Sequence, residues 1–144
     1  MSTESILNVK IEPWAYAPKR AHAEDAGLDL KIPHLAELKP GESLTVDTGI
    51  HVELLSGTVG LLKNKSGLNI NHGIVLCGDG VIDEGYTGSI KVKLYNQSDK
   101  RYLFAAGDKI AQLLVVPIYR PAVRLVDKLG QTERGDAGFG STGK

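Results

Sequence analysis

The sequence predicts an all-β protein, a sandwich or barrel of short strands with one short helix and a glycine-rich C-terminal tail. Apolar and polar residues alternate with a period of two in five runs, each bounded by Gly, Pro, Asn or Asp, which is the pattern of strands. Glycine makes up 17 of the 144 residues, which is above the average of ~7%, and glycine opposes long helices. Strands that follow one another without intervening helices favour a sandwich or a barrel.

The five runs define the predicted strands through their apolar positions. Successive side chains of a strand point to opposite faces, so each set should line one face of its strand. In chain order the sets are Leu7, Val9 and Ile11; Leu44 and Val46; Ile50, Val52 and Leu54; Ile90, Val92 and Leu94; and Val123 and Leu125.

Two segments depart from the period of two. Residues 66–72, SGLNINH, predict a short helix with Leu68 on one side and Gly73 just past its end. Four of the last ten residues, 135–144, are glycine. A segment of this composition is not rigid by itself, so it predicts a flexible tail.

Composition excludes several classes of protein. The 17 basic and 17 acidic side chains give no net charge, so no overall field holds nucleic acid or an anionic membrane, and we expect neither as a partner. The single cysteine, Cys77, excludes an intrachain disulfide and a cysteine-based zinc site, and we interpret it as a small buried hydrophobe. The start, MSTESIL, has no signal-peptide pattern, which predicts a cytoplasmic protein.

Four segments carry residue types suited to chemistry, and each also has a structural interpretation. Asp29, between apolar neighbours, is a candidate ligand for metal or water, although a turn aspartate is favoured for it alone. Lys65 and Ser66, at the predicted helix start, form a candidate anion site. Ser66 as an N-cap beside a solvated Lys65 explains them equally well.

The other two segments carry aromatic and acidic groups near glycines. Asp83 is a candidate general base with the Tyr86 ring beside it as a wall for a sugar or base, although an ordinary hairpin explains both residues slightly better. In the tail, Arg134 and Phe139 sit on a glycine frame that suits phosphate and base contacts. A disordered end is the equal alternative for the tail.

Taken together and in order, these segments resemble the five motifs of the trimeric dUTP diphosphatase (dUTPase) family. AGLDL at 26–30 resembles motif one, and NKSGL at 64–68 stands where the family usually has P-R-S-[SG]-[LM]. GVIDEGYTG at 80–88 matches motif three closely, and GDKIAQL at 107–113 resembles motif four. RGDAGFGSTG at 134–143 matches motif five almost residue for residue. Five motifs in this order are far more specific than any one of them.

The resemblance implies a distorted jelly-roll or β-clip-like barrel that forms a homotrimer, with active sites between subunits. It makes residues 1–133 the β domain and residues 134–144 a flexible tail that closes over the active site. The implied reaction is hydrolysis of dUTP to dUMP and pyrophosphate, with Mg²⁺ bound by the triphosphate. This reaction limits uracil in DNA and supplies dUMP for dTMP synthesis.

The resemblance also implies the catalytic residues and the contacts to sugar and base. Asp83 orients and deprotonates the water that attacks the α-phosphorus, and Gln112 contacts the α-phosphate and that water. Tyr86 packs against the deoxyribose and leaves no room for a 2′-hydroxyl. The backbone of a hairpin from about 76 to 81 pairs with the uracil edge, and Phe139 stacks over the base.

The remaining implied contacts are to the metal and the phosphates. Asp29 reaches Mg²⁺ through bound water, since this ion keeps part of its hydration shell. Arg134 pairs with the γ-phosphate through its planar fork. The further substrate-binding residues are Lys65, Ser66, Gly67, Gly80, Ile82, Gly140, Ser141 and Thr142.

Two departures and three alternatives remain from the sequence. The uracil hairpin reads CGDG at 77–80, and we expect Asp79 at its tip, pointing outward. Asn64 and Lys65 replace the usual Pro-Arg of motif two, and lysine offers a point charge rather than a bidentate fork. The alternatives are a phage-type dUTPase with an added regulatory protein partner, a dCTP deaminase-like enzyme, and a noncatalytic β-sandwich module. The intact Asp83 and Tyr86 motif and the full motif five argue against the deaminase.

Overall fold

The computed structural model describes residues 5–140, and within that range the chain forms eleven strands and one helix. The all-β prediction is therefore confirmed. The elements are β1 (Asn8–Ile11), β2 (Leu28–Lys31), β3 (Ala36–Leu38), β4 (Ser43–Asp47), β5 (Ile50–Glu53), β6 (Thr58–Lys63), α1 (Ser66–His72), β7 (Ile74–Leu76), β8 (Gly80–Ile82), β9 (Lys91–Asn96), β10 (Tyr102–Phe104) and β11 (Lys109–Pro117). Among residues 5–140, no helix is long and apolar enough to cross a membrane.

The strands pair antiparallel in four small sheets, which gives the jelly-roll-like architecture. The largest has the order β2-β11-β6-β8, and a second has the order β4-β9-β7. The pairs β1-β5 and β10-β3 complete the set. In the largest sheet β11 is central, and its register sets Gln112 opposite both Asp29 of β2 and Lys63 of β6.

The inward faces of the sheets meet in one hydrophobic core. In β9 the alternating sequence KVKLYN turns Val92, Leu94 and Asn96 inward. The buried Asn96 amide donates to the carbonyl oxygens of Leu38 at 3.0 Å and Lys100 at 2.8 Å. The one polar side chain that β9 buries is therefore satisfied, as a close-packed interior requires.

The helix begins and ends where the sequence predicts. Leu68 packs into the core, and Gly73 ends the helix with a φ of 65°, a left-handed conformation that glycine adopts without steric cost. The N-cap is Lys65 and not Ser66, and it makes no side-chain capping hydrogen bond. Ser66 is instead the first helical residue.

Two local predictions are wrong. The run at 123–126 forms no strand, and Val123 and Leu125 are exposed. A strand needs a partner for its backbone groups, and no described segment of the chain pairs with this run. Cys77 is exposed rather than buried, because it lies in the turn between β7 and β8, where Gly78 takes a φ of 75°.

Candidate active site

Gln112 lies at the centre of one end of the largest sheet. Its side-chain amide donates to the Asn64 carbonyl oxygen at 2.9 Å. A Cβ atom at Gly27 would collide with the Gln112 side chain. The glycine of motif one therefore leaves the space that the glutamine of motif four occupies.

Asp29 is the charge centre of this end. Its carboxylate is only 5% exposed, and its two oxygens contact Lys65 Nζ at 2.5 Å and Lys109 Nζ at 3.3 Å. Both lysine side chains are partly exposed, and they line one cleft of about 500 Å³ together with Gly67. Two ammonium groups against one carboxylate give these three residues one net positive charge, and Asp108 adds a second carboxylate to the lining of the cleft. We call Asp29, Lys65 and Lys109 the lysine cluster.

The lysine cluster does not fit a metal held by protein side chains alone. Both oxygens of Asp29 already contact ammonium groups. Residues 5–140 contain no group of three or more His, Cys, Asp or Glu side chains that could hold a metal ion. The role of Asp29 towards Mg²⁺ therefore stays a prediction.

Ser66 and Gly67 begin α1 beside the lysine cluster and are exposed. A Cβ atom at Gly67 would meet nothing within 4 Å, so the space around this glycine is open to a ligand. The predicted group of lysine, hydroxyl and helix start is assembled, and Lys65 is paired rather than freely solvated.

Asn64 and Lys109, to which the sequence analysis assigned no role, complete this end of the sheet. Asn64 accepts from the Gln112 side chain through its carbonyl oxygen and from the Leu76 N–H through its side-chain oxygen, at 2.7 Å. Lys109 is the second partner of Asp29. The signal for Asn64 was its departure from proline, since a proline has no side-chain acceptor for the Leu76 N–H.

Residues 76–81 do not form the predicted hairpin. β7 pairs with β9 and β8 pairs with β6, so the two strands are edges of different sheets. Each edge strand keeps one side of its backbone outside the ladders, and between them lies a cleft of about 140 Å³. A Cβ atom at Gly80 would lie 2.6 Å from Leu62 Cβ, so glycine lets β8 approach β6. Ile82 is buried in β8.

The motif-three turn brings Asp83 and Tyr86 together. The Tyr86 N–H donates to the Asp83 carbonyl oxygen at 3.0 Å. The Asp83 side chain is exposed, the Tyr86 side chain is 45% exposed, and both line a cleft of about 310 Å³. The predicted general base and the predicted sugar wall therefore share one surface. We call residues 83–89 the Tyr86 turn.

A single chain does not bring Asp83 to Gln112. The β6 register sets Ile82 opposite Gly60 and Gln112 opposite Lys63. Three steps along a strand span about 10 Å, and Asp83 lies beyond Ile82 at the far end. The predicted catalytic pair is therefore split between two ends of β6.

The described part of the tail folds on itself. The Arg134 side chain donates to the Ala137 carbonyl oxygen, and the Ala137 N–H donates back to the Arg134 carbonyl oxygen. Phe139 is fully exposed with a φ of 49°, and Gly140 follows it with a φ of 89°. The tail residues are therefore not assembled with either end of β6. Ser141 and Thr142 lie outside the described residues.

Comparison with known proteins adds independent support to the motif resemblance. The family model for dUTPase matches residues 14–143. A deoxyuridine 5′-triphosphate nucleotidohydrolase of Gloeothece citriformis is 44% identical over 135 residues, which is 93% of each chain.

Two solved phage structures share the fold. The dUTPase of Staphylococcus bacteriophage 80alpha with dUpNHpp comes from work on phage dUTPases that control transfer of virulence genes by a proto-oncogenic G protein-like mechanism. It is 30% identical with a TM-score of 0.87, covering 98% of this chain and 100% of that one. A variant dUTPase from phage phi11 of S. aureus, solved to show the coordination of a structural Mg(II) ion, is 29% identical with a TM-score of 0.79, covering 86% and 98%. With these matches over nearly its whole length, the chain belongs to the dUTPase family of hydrolases.

Proposed function

We propose that this protein is a dUTP diphosphatase that hydrolyses dUTP to dUMP and pyrophosphate. One observation carries the proposal: an exposed carboxylate, Asp83, and an aromatic ring, Tyr86, line the same cleft within the third family motif. The substrate is supported by the relative named as a deoxyuridine 5′-triphosphate nucleotidohydrolase and by the dUpNHpp in the phage 80alpha structure. The proposed role is to keep uracil out of DNA and to supply dUMP for dTMP synthesis.

In the proposed step, Asp83 accepts a proton from the attacking water. The water oxygen forms a bond to the α-phosphorus while the bond from that phosphorus to the bridging oxygen breaks. Pyrophosphate leaves with the electron pair of the broken bond. A positioned carboxylate of this kind contributes about 10²–10⁴-fold to a rate.

We propose that the lysine cluster and the start of α1 bind the triphosphate. Lys65 gives an ammonium group, Ser66 a hydroxyl, and Gly67 a backbone approach without steric hindrance. Gln112 contacts the α-phosphate and the attacking water. The two partly exposed ammonium groups of the cluster support an anionic ligand at this place.

Mg²⁺ belongs, in this proposal, to the substrate as the metal complex of dUTP. Asp29 faces that complex only through bound water, because both of its oxygens contact lysine ammonium groups. The structural Mg(II) ion of the phage phi11 relative supports a place for this metal in the family.

We propose that uracil enters the cleft between the edge strands β7 and β8. The backbone near Gly80 and Ile82 then reads the base edge as a strand partner does. Asp79 is exposed in the turn between the strands, so its carboxylate need not face the carbonyl oxygens of uracil.

We propose a homotrimer in which neighbouring subunits complete each site. The separation of Asp83 from Gln112 by at least about 10 Å along β6 supports this assembly, because one chain cannot present both to the same phosphorus. Sedimentation of the purified protein should give a species near three chains.

We propose that residues 134–144 form a tail that closes on bound nucleotide, distinct from the domain of residues 1–133. Arg134 then pairs with the γ-phosphate, Phe139 stacks on uracil, and Gly140, Ser141 and Thr142 wrap the terminal phosphate. The full exposure of Phe139 supports a residue that waits for a ligand. Deleting 135–144 should sharply reduce turnover while the oligomer remains.

The experiment that tests the function is pyrophosphate release from dUTP, dCTP, dTTP and UTP with Mg²⁺. At low enzyme concentration, we expect dUTP to be the only one of the four nucleotides that is turned over. No turnover of dUTP would refute the proposal, and ammonia release from dCTP would support the deaminase alternative. The cytoplasmic location predicted from the sequence stays a prediction.

A regulatory role is the second candidate function, and one observation favours it. The phage 80alpha dUTPase, which shares this fold, comes from a group described as controlling transfer of virulence genes. We propose that any such role here depends on nucleotide. Pull-down with and without a nonhydrolysable dUTP analogue tests it, and a capture pattern that is the same in both arms contradicts it.

A further inference from the structure

We propose that Asp47, Ser89 and His51 are positioning residues that fix the Tyr86 ring and thereby set the discrimination between deoxyribose and ribose. This inference rests on the proposed function, because it assigns the sugar contact to Tyr86. None of the three belongs to the motifs that carry the family resemblance. Ser89 comes directly after the last residue of motif three.

The Tyr86 ring is folded back over its own turn. Its hydroxyl donates to the Ser89 carbonyl oxygen at 2.8 Å. A Cβ atom at Gly88 would collide with the ring and its hydroxyl, so this orientation exists only because residue 88 is glycine. The ring is otherwise 45% exposed, and the position of its outer face therefore depends on the position of Ser89.

Ser89 is held by Asp47 from the end of β4. The Ser89 hydroxyl donates to Asp47 Oδ1, and the same oxygen accepts from the Gly49 N–H at 3.0 Å. The Ser89 hydrogen bond, followed by that of the Gly49 N–H, lowers the pKa of the Asp47 carboxyl below its usual value. A charged acceptor makes a stronger hydrogen bond than a neutral one, so Ser89 is firmly anchored to β4.

His51 of β5 holds the same turn at a second point. Its Nδ1 lies 2.8 Å from the Thr87 carbonyl oxygen, and because a carbonyl only accepts, the ring nitrogen donates. Its Nε2 lies 3.0 Å from Glu12 Oε1, which fixes the plane of the ring. The turn is thus tied on both sides of Gly88, through Thr87 and through Ser89.

Both anchors flank the short loop that connects β4 to β5. Asp47 ends β4, His51 lies in β5, and Gly49 between them has a φ of 68°. A Cβ atom at Gly49 would lie 2.8 Å from the Trp14 ring, so this loop packs closely against Trp14. A steric wall against a 2′-hydroxyl works only if it cannot retreat, and this loop supplies that rigidity to Tyr86.

The test compares Ser89→Ala, Asp47→Asn and His51→Ala with the native enzyme in three substrates. For each protein, kcat/KM is measured for dUTP, UTP and dTTP. We expect the ratio of dUTP to UTP to fall about three- to tenfold, the effect of one lost hydrogen bond. The ratio of dUTP to dTTP should stay within about twofold, because it reports the base cleft between β7 and β8. A loss of folded enzyme lowers every kcat/KM equally and moves neither ratio.

Ser98→Ala is the matched control. Its hydroxyl also anchors a turn, by donating to Asn96 Oδ1 at 2.7 Å, but that turn lies outside residues 83–89. It should leave both ratios unchanged. If the ratio of dUTP to UTP is unchanged in all three test variants while the native enzyme hydrolyses dUTP, the positioning role is wrong and the proposed function stands. If the native enzyme does not hydrolyse dUTP, both are wrong.

Discussion

The lysine cluster and the Tyr86 turn lie at opposite ends of β6, and they are stabilised by different interactions. The lysine cluster contains a nearly buried carboxylate and two partly exposed ammonium groups. The Tyr86 turn is held by hydrogen bonds to hydroxyl and carbonyl groups and by glycines that admit an aromatic ring. The lysine cluster presents cations, whereas the Tyr86 turn presents an aromatic ring beside the exposed Asp83 carboxylate.

The difference teaches which property each region can control. Charge attracts every triphosphate and is weakened by salt, so the proposed phosphate role predicts that the lysine cluster sets affinity without distinguishing one sugar from another. A fixed aromatic ring responds to the outline of the sugar and carries no charge, so the proposed sugar contact predicts that the Tyr86 turn sets selectivity. The two properties should therefore change independently when each region is altered.

The largest expected effect is on the chemical step, at Asp83 in the Tyr86 turn. Asp83→Asn keeps the size of the side chain but removes the proton acceptor, so kcat for dUTP should fall about 10²–10⁴-fold with little change in KM. Steady-state pyrophosphate release measures both constants. Asp99→Asn, at an exposed aspartate beyond β9, is the control and should match the native enzyme. Full activity of Asp83→Asn would remove the catalytic assignment.

Altering the lysine cluster should change affinity and stability while leaving selectivity intact. Lys65→Met leaves Asp29 with Lys109 alone, so we expect KM for dUTP to rise about tenfold and the free energy of unfolding to fall by about 1–2 kcal/mol. Lys65→Arg keeps the positive charge, so its free energy of unfolding should equal that of the native protein.

Urea unfolding and steady-state kinetics check the prediction for Lys65. The matched control is Lys39→Met, at an exposed lysine after β3, which should change neither quantity. A changed ratio of dUTP to UTP in Lys65→Met would contradict the separation of affinity from selectivity.

The sequence predicted β9, which keeps one face in solvent, and missed the central strands β6 and β11, which do not. β9 alternates strictly between exposed and buried residues, and its period of two was visible. β6 and β11 are partly or fully buried on both faces, so their sequences lose the alternation, as central strands do. The run at 123–126 has the right alternation, but no described strand pairs with it.

In the candidate site, contacts between residues close in sequence were predictable, and contacts between distant residues were not. Motif residues such as Asp83 and Tyr86 are close in sequence, and the structure confirms that they share a cleft. The contacts of Asp29 with Lys65 and of Asp47 with Ser89 join residues 36 and 42 positions apart. Such pairs depend on strand register, which a single sequence does not specify. The motifs therefore identified the residues but not the groups that hold them.

Salt gives a smaller effect that separates the two regions without any mutation. Raising KCl from 0.05 to 0.5 M shortens the Debye length and screens the partly exposed lysines, so KM for dUTP should rise about two- to fivefold. The ratio of kcat/KM for dUTP to that for UTP should stay constant, because both substrates carry the same triphosphate. A salt-dependent ratio would mean that charge also acts at the Tyr86 turn.

The smallest effect concerns acid and Asp47, the charged group that holds the Tyr86 turn through Ser89. The Ser89 and Gly49 hydrogen bonds lower the pKa of the Asp47 carboxyl in the folded protein below its ordinary value of 3.8. A folded pKa below the unfolded one stabilises the protein above the unfolded pKa, and this stabilisation is lost as the pH falls through the folded value. Asp47 is exposed, so solvent screening keeps the contribution below about 1 kcal/mol.

Asp47→Asn should therefore be slightly less stable than the native protein at pH 7, and this gap in the free energy of unfolding should close as the pH falls below 3.8. Urea unfolding followed by fluorescence of Trp14, the only tryptophan in the chain, measures the gap at a fixed chain concentration. A gap of the same size at pH 7 and pH 3 would show that the Asp47 charge does not hold the turn.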